Sequence, residues 1–233
     1  MTDLHSHILP GIDDGSSCLE ESLDLLRMEA EQGISRVTAT PHFYARYESP
    51  DGFLAKREKA EEVLRSAMAQ ESGLPEVQVG AEVYYFRGIS ESEFLPWMTI
   101  GGSNCVLVEM PPSPWEESMF RELLKIRERR DLIPVIAHID RYIRPFHTFR
   151  IPERLADLPV LVQANAAFFL ERPTAGLAMK LLKRGQIHLI GSDCHNLTSR
   201  KPNVGPALKR IRQKLGDGVL EQMSNYESII FDI

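Results

Sequence analysis

Short apolar runs alternate along this chain with longer stretches in which apolar residues recur at helical spacing. The short runs lie at residues 1–4, 36–40, 77–83, 105–109, 133–137, 160–164 and 187–192. Several are almost uniformly apolar, as in Val106-Leu107-Val108 and Pro134-Val135-Ile136-Ala137. A strand without polar alternation is buried on both faces, the situation of a parallel sheet covered by helices. The gaps carry helix signals. Ser17-Cys18-Leu19-Glu20 has the form of a capping box, Leu19, Leu23, Leu26 and Ala30 follow on one face, and Gly33 supplies a stop. Further helices are predicted near 53–71, 116–130, 174–184 (with Gly185 as a stop) and 204–215.

Seven candidate strands in a repeated β-then-α order, with helices in many of the gaps, predict an α/β fold. The expected form is a distorted TIM-like (β/α)7 barrel occupying residues 1–233 as one domain, with an open doubly wound sheet as the alternative. No GxGxxG or Walker-type loop is present, which argues against a nucleotide-binding version of the open sheet.

The polar residues cluster where the strands end. The first run leads into Asp3-Leu4-His5-Ser6-His7 and then Asp13-Asp14-Gly15. The second ends at Thr40-Pro41-His42, the third at Gly80-Ala81-Glu82, the fourth at Val108-Glu109, the fifth at Ala137-His138 and the seventh at Ser192-Asp193-Cys194-His195. In a parallel barrel these ends share one face, the one that carries catalytic loops. Alternation sends His5 and His7 to one side, and likewise Asp193 and His195. A single HxH or strand-end Glu is commonplace; imidazoles and carboxylates at successive strand ends imply a metal centre. Nitrogen and oxygen donors without thiolate favour manganese, iron or zinc over magnesium or calcium. Nine donors are too many for one ion, so two or three divalent ions are expected. Such a cluster suits displacement at phosphorus.

Charge and cysteine content narrow the classes. With 33 acidic and 27 basic residues the net charge is −6, which disfavours broad nucleic-acid binding. Three cysteines argue against a disulfide framework. The N-terminus lacks a signal-peptide pattern and no run is long enough to span a bilayer, so a cytoplasmic protein without membrane insertion is expected. Cys194 to Arg200 fits the C-x5-R pattern of cysteine-dependent phosphatases. However, alternation turns Cys194 away from the flanking Asp193 and His195, and the loop lacks a phosphate-cradling glycine.

The motif Asp3-Leu4-His5-Ser6-His7-Ile8-Leu9-Pro10-Gly11-Ile12-Asp13-Asp14-Gly15 resembles the PHP (polymerase and histidinol phosphatase) superfamily. More narrowly it resembles the bacterial manganese-dependent tyrosine-protein phosphatases of capsule and exopolysaccharide loci, the CpsB/YwqE-like branch. Thr40-Pro41-His42, Gly80-Ala81-Glu82-Val83-Tyr84, Val108-Glu109-Met110-Pro111, Ala137-His138-Ile139-Asp140-Arg141-Tyr142 and Gly191-Ser192-Asp193-Cys194-His195-Asn196 follow in the same order. The resemblance implies a trinuclear site. His5, His7, Glu82 and Asp193 would hold one ion, Glu82, Glu109 and His138 a second, and Asp14, His42 and His195 a third. Three divalent ions would bring the formal charge of −6 to near zero.

The reaction implied is hydrolysis of phosphotyrosine by direct attack of metal-bound hydroxide, with Asp14 and His42 in the catalytic set and Arg141 and Arg200 on the phosphoryl oxygens. Asp140 or a metal-bound water is the candidate acid. The partner implied is a phosphotyrosine protein, the tail of a membrane-associated bacterial tyrosine autokinase. A histidinol-phosphate-type phosphatase, a phosphodiesterase and a non-catalytic binding module are the rivals. An amidohydrolase is disfavoured because Glu109 stands where a carboxylated Lys is expected, and Gln163-Ala164-Asn165 lacks the usual His. Tyr44, Arg46 and Tyr47 are candidates for a peptide groove and His147 for a substrate-facing loop. His188, Trp97 and Trp115 are expected to be structural.

Overall fold

The computed structural model describes residues 1–143 and 150–232. In chain order its elements are β1 (Thr2–Ser6), α1 (Leu19–Glu31), β2 (Arg36–Ala39), β3 (His42–Phe43), α2 (Pro50–Met68), β4 (Glu76–Val79) and β5 (Glu82–Tyr84). Next come β6 (Cys105–Glu109), α3 (Glu117–Arg130), β7 (Ile133–Ile136), α4 (Asp140–Ile143), α5 (Arg150–Ala156), β8 (Leu161–Asn165) and α6 (Ala166–Leu170). The described chain ends with α7 (Arg172–Lys183), β9 (Leu189–Gly191), α8 (Val204–Leu215) and α9 (Asp217–Phe231). Every strand pairing is parallel.

Among the described residues, nine strand segments form seven staves. β2 and β3 are one stave interrupted at Thr40-Pro41, and β4 and β5 are another interrupted at Gly80-Ala81. The hydrogen bonding carries on through the breaks: Thr40 N donates to Ser6 O (2.8 Å), Gly80 N to Ala39 O (2.9 Å) and Glu82 N to Pro41 O (2.9 Å). Pro41 has no N–H to give, so the break falls where the ladder already loses a donor. The predicted third strand, residues 77–83, therefore splits in two.

The barrel closes between first and last staves. Ser6 bridges Cys194 in parallel, His7 N donates to Cys194 O (2.9 Å) and Asp193 N donates to His5 O (2.8 Å). This closure decides for the distorted barrel over the open sheet.

Two apolar layers result. Leu4, Leu107, Val135, Ala137, Leu161 and Leu189 fill the barrel interior, together with Ile230 from α9. The larger layer lies between staves and helices and includes Leu25, Leu26, Val37, Phe43, Val83, Val106 and Ile190. Each such aliphatic side chain withdrawn from water contributes about 1.5–3 kcal/mol. Helix α9, which the periodicity did not predict, ties itself to the lower part of the barrel. Glu227 accepts from Thr2 Oγ1 (2.8 Å), Arg36 lies over the Phe231 ring (4.4 Å) and Tyr226 meets His188 (4.6 Å).

The predicted capping box is corrected. The residue preceding α1 is Cys18, whose side chain makes no capping bond. Ser17 instead donates through N (2.8 Å) and Oγ (2.7 Å) to Glu21, one residue beyond the predicted Glu20. The stops at Gly33 and Gly185 are present, with φ of 79° and 67°. Among the described residues no helix is long and apolar enough to cross a membrane.

Candidate metal centre

The upper ends of the staves bring together the side chains nominated from sequence. His5 Nε2 lies 3.4 Å from Glu82 Oε2 and 3.6 Å from Asp193 Oδ1. His7 Nε2 lies 3.5 Å from each of the same two atoms. His138 Nε2 is 2.8 Å from Glu82 Oε1 and 3.7 Å from Glu109 Oε1. His42 Nδ1 is 2.8 Å from Glu82 Oε2 and 3.9 Å from Glu109 Oε2. Asp14 Oδ1 lies 3.4 Å from His42 Nε2 and 3.5 Å from His195 Nε2. Among the described residues, three groups at this mouth have the spacing of metal ligands: His5, His7 and Asp193; His42, Glu82 and Glu109; and His7, Asp14, His42 and His195. They overlap at His7 and His42, so the donors form one continuous nest with Glu82 at its centre.

Local backbone accounts for the aim of these groups. A bulge interrupts the β1–β2 register between Asp3 and Ser6, which lets both Leu4 and His5 face inward. His138 (φ 31°) and Asp193 (φ 56°) sit in the left-handed region that non-glycine residues avoid, and both follow the end of a stave. Strain of this kind concentrates where surrounding structure fixes a functional side chain. Gly15 is required by close approach, since a Cβ there would stand 2.2 Å from His7 O.

Several imidazoles are oriented from behind, an arrangement typical of metal-ligating histidines. His7 Nδ1 donates to Asp13 Oδ2 (2.8 Å), which also accepts from His42 N (3.0 Å). His195 Nδ1 donates to Asp193 O (3.0 Å). Gln163 Oε1 accepts from His138 N (2.6 Å) and lies 3.4 Å from His5 Nδ1. The Tyr142 hydroxyl is 3.3 Å from His138 Nδ1 and accepts from Met110 N (2.9 Å). In each case Nε2 is turned toward the nest.

Asp13, Gln163, Tyr142 and Asn165, whose amide donates to Asp193 Oδ2 (3.1 Å), were not nominated from sequence. The available signal was a polar residue inside an apolar stave, at Gln163, and a second carboxylate beside Asp14.

The donor set fits metal ions. Glu82 Oε2, Glu109 Oε2, Asp193 Oδ1, His42 Nδ1 and His195 Nε2 are buried without a hydrogen bond of proper geometry, although charged neighbours stand close. Buried polar atoms are normally satisfied, and this many in one place calls for cations. Burial pushes the Asp193 and Glu82 carboxyls upward, but His5 and its neighbours outweigh this and hold both well below the usual range. Glu109 moves the other way, raised by burial and by the adjacent Glu82 charge. Burial and the His7 charge lower His195 to about 4, so its Nε2 keeps a free lone pair at neutral pH.

Arg141 and Arg200 flank this nest. Arg141 pairs with Asp193 Oδ2 and, at 3.4 Å, with Glu109 Oε1. Arg200 Nη2 is 2.7 Å from Asp193 Oδ1. A cavity of about 680 Å³ opens beside them, bordered by Asn165, Asp193, Thr198 and Asn203.

Cys194 points away from this centre and is fully buried. Its sulfur falls within a separate group with Asp3 and Glu29. Burial and the Asp3 and Glu29 charges raise its thiol well above the ordinary value, which is unsuited to nucleophilic catalysis. Asp140 accepts from Asn165 N (2.9 Å) at the β8–α6 junction. His188 accepts from Val162 N (2.9 Å) and Trp115 packs on Tyr142 (5.0 Å), as structural residues do. Trp97 departs from the packing expectation: it is 54% exposed, on a short 3-10 turn of the β5–β6 connection. His147 lies outside the described residues.

The family described as capsular polysaccharide synthesis, CpsB/CapC, is matched over residues 1–230. The chain belongs to the CpsB/CapC family. It is 29% identical to tyrosine-protein phosphatase CpsB of Streptococcus pneumoniae, covering 100% of this chain and 99% of that protein. It is 27% identical to tyrosine-protein phosphatase YwqE of Bacillus subtilis, over 93% of this chain and 85% of that one. In fold it matches a crystal structure from work on YwqE and CpsB, described there as unique metal-dependent tyrosine phosphatases. The TM-score is 0.88 at 21% identity, with 100% of this chain and 94% of the other covered.

Proposed function

We propose that this CpsB/CapC-family chain is a metal-dependent protein-tyrosine phosphatase, acting in the cytoplasm as one catalytic domain over residues 1–233. The observation that carries the reading is the nest around Glu82, where carboxylates and imidazoles with orphaned atoms converge from widely separated staves. Two to three divalent ions, manganese first with iron or zinc as alternatives, fit its nitrogen and oxygen donors. His5, His7, Glu82 and Asp193 are assigned to one ion, Glu82, Glu109 and His138 to a second, and Asp14, His42 and His195 to a third. When bound, such ions lower the pKa of water toward neutrality and neutralise the charge of a phosphoryl group.

The chain's own residues do the rest. Asp13 holds the His7 imidazole, and Gln163 backs the His5 imidazole and the His138 backbone, so the nest is organised before substrate arrives. Arg141 and Arg200 are partly exposed, beside the centre and the cavity, where planar guanidiniums can take the non-bridging phosphoryl oxygens. A phenolate leaving group, with a pKa of ~10, needs less protonation than an alkoxide. The proposed substrate is the phosphotyrosine tail of a membrane-associated bacterial tyrosine kinase that regulates capsule or exopolysaccharide assembly, and not nucleic acid.

The test joins metal analysis to turnover of a phosphotyrosine peptide before chelation, after it, and after manganese is restored. Loss and recovery of phosphate release in step with metal content support the reading. Turnover that survives metal removal sinks it. So does activity confined to histidinol phosphate or DNA ends, or peptide binding by the metal-loaded protein without phosphate release.

A further inference from the structure

Three tyrosine rings rise from one side of the nest. Tyr44 follows His42 by two positions and Tyr84 follows Glu82 by two. Alternation along adjacent staves therefore puts both rings on the side of His42 and Glu82. Phe43 and Val83, the residues between, are buried in the outer apolar layer. The register reinforces this placement, since His42 stands beside Glu82, Phe43 beside Val83, and Tyr84 beside Glu109. The Tyr44 ring lies 5.3 Å from the His42 ring and 5.4 Å from the Tyr84 ring. Tyr47 continues outward, 6.3 Å from Tyr44 and 79% exposed.

Neither inner ring is needed by the core, because Phe43 and Val83 already fill it on these staves. Both are half-buried, and the two rings meet at 39°. Arg141 and Arg200 come from elsewhere on the mouth, Arg141 from α4 after β7 and Arg200 from the segment between β9 and α8. A phosphomonoester held by the arginines and by groups around Glu82 would need its ester oxygen on the open side of the nest. The first rings beyond His42 are those of Tyr44 and Tyr84.

We propose that Tyr44 and Tyr84 form an aromatic wall that stacks on the phenyl ring of a phosphotyrosine, and thereby select aryl over alkyl phosphomonoesters. Tyr47 lies farther out, where the flanking peptide passes. This deepens the proposed function and rests on it. Offset or tilted aromatic contacts favour the aryl substrate, and a short aliphatic ester leaves the wall uncovered.

The experiment compares kcat/KM for a phosphotyrosine peptide and its phosphoserine counterpart in wild type, Tyr44→Leu, Tyr84→Leu and Tyr44→Phe, all at matched metal content. Each Leu variant should lower the aryl-to-alkyl ratio by about 3- to 10-fold, chiefly through KM on the aryl peptide, and Tyr44→Phe should restore it. A readout without turnover is the proton spectrum of phenylphosphonate bound to the zinc-loaded protein, zinc being diamagnetic. The phenylphosphonate ring protons should move upfield in wild type, and Tyr44→Leu should diminish the shift. Leu variants that keep both the ratio and the shift overturn the wall while leaving the phosphatase reading intact. Wild-type protein that hydrolyses phosphoserine but not phosphotyrosine overturns both.

Discussion

Asp13 accepts the Nδ1 proton of His7 at 2.8 Å, from a loop that also fixes the backbone of His42. The effect is mutual. Although burial opposes charge on both, their bond holds the Asp13 carboxyl down at about 2 and raises His7 well above its usual value. A carboxylate behind a ligating imidazole sets its tautomer and strengthens it as a donor. Asp13→Ala should therefore weaken metal affinity by about 10- to 100-fold, with Asp13→Asn in between. Competition against a chromogenic chelator measures this, and unchanged affinity would show that Asp13 only braces the loop.

The two arginines make separable contributions. Each is only partly exposed and pairs with Asp193, and charge-assisted bonds of this class are worth about 1.5–3 kcal/mol. Arg141→Ala and Arg200→Ala should each reduce kcat/KM on a phosphotyrosine peptide by about 10- to 100-fold. Lysine should rescue poorly, because it cannot make the planar paired contact. Full rescue by lysine at both positions would reduce their role to bulk charge.

Cys194→Ser should retain most of the activity. The sulfur is on the far side of its stave from Glu82 and is kept protonated by burial and by Asp3 and Glu29. Steady-state turnover with metal content checked in parallel decides the point. An inactive variant with full metal loading would instead support cysteine chemistry.

Glu29 gives a pH signature. Burial, with the Asp3 charge beside it, raises its folded-state carboxyl to about 11 from 4.5. The folded chain thus binds a proton that the unfolded chain has released, and stability falls as pH rises between those values. One such proton changes stability by at most ~1.4 kcal/mol per pH unit. Glu29→Gln, which stays neutral, should gain stability relative to wild type as pH increases. Urea unfolding at pH 6 and pH 9 tests this, and a constant difference between the two proteins would refute it.

Sequence reading recovered the barrel because its staves announce themselves. Val106-Leu107-Val108 admits hardly any environment except one buried on both faces. The nest was legible for a related reason: donors at successive strand ends reach one mouth once the strands are parallel. What escaped depended on geometry rather than composition. The break at Gly80-Ala81 leaves the apolar pattern intact, so residues 77–83 looked continuous. The choice of Glu21 over Glu20 at α1 turns on where the helix begins, which the hydroxyl at Ser17 leaves open. Gln163 supports His138 across 25 residues of chain, a relation that local pattern cannot express.

The seam between β1 and β9 governs when the centre can exist. His5 and His7 belong to the first stave, whereas Asp193, His195 and Arg200 come from the last. During synthesis the first histidines leave the ribosome long before their acidic partner, and chains emerge from the N-terminus onward. A nascent or truncated chain lacking β9 has neither a closed barrel nor the Asp193 oxygens near His5 and His7. Closing the barrel and bringing the donors of the first and last staves together thus depend on the same C-terminal segment, so a copy lacking β9 carries no complete nest.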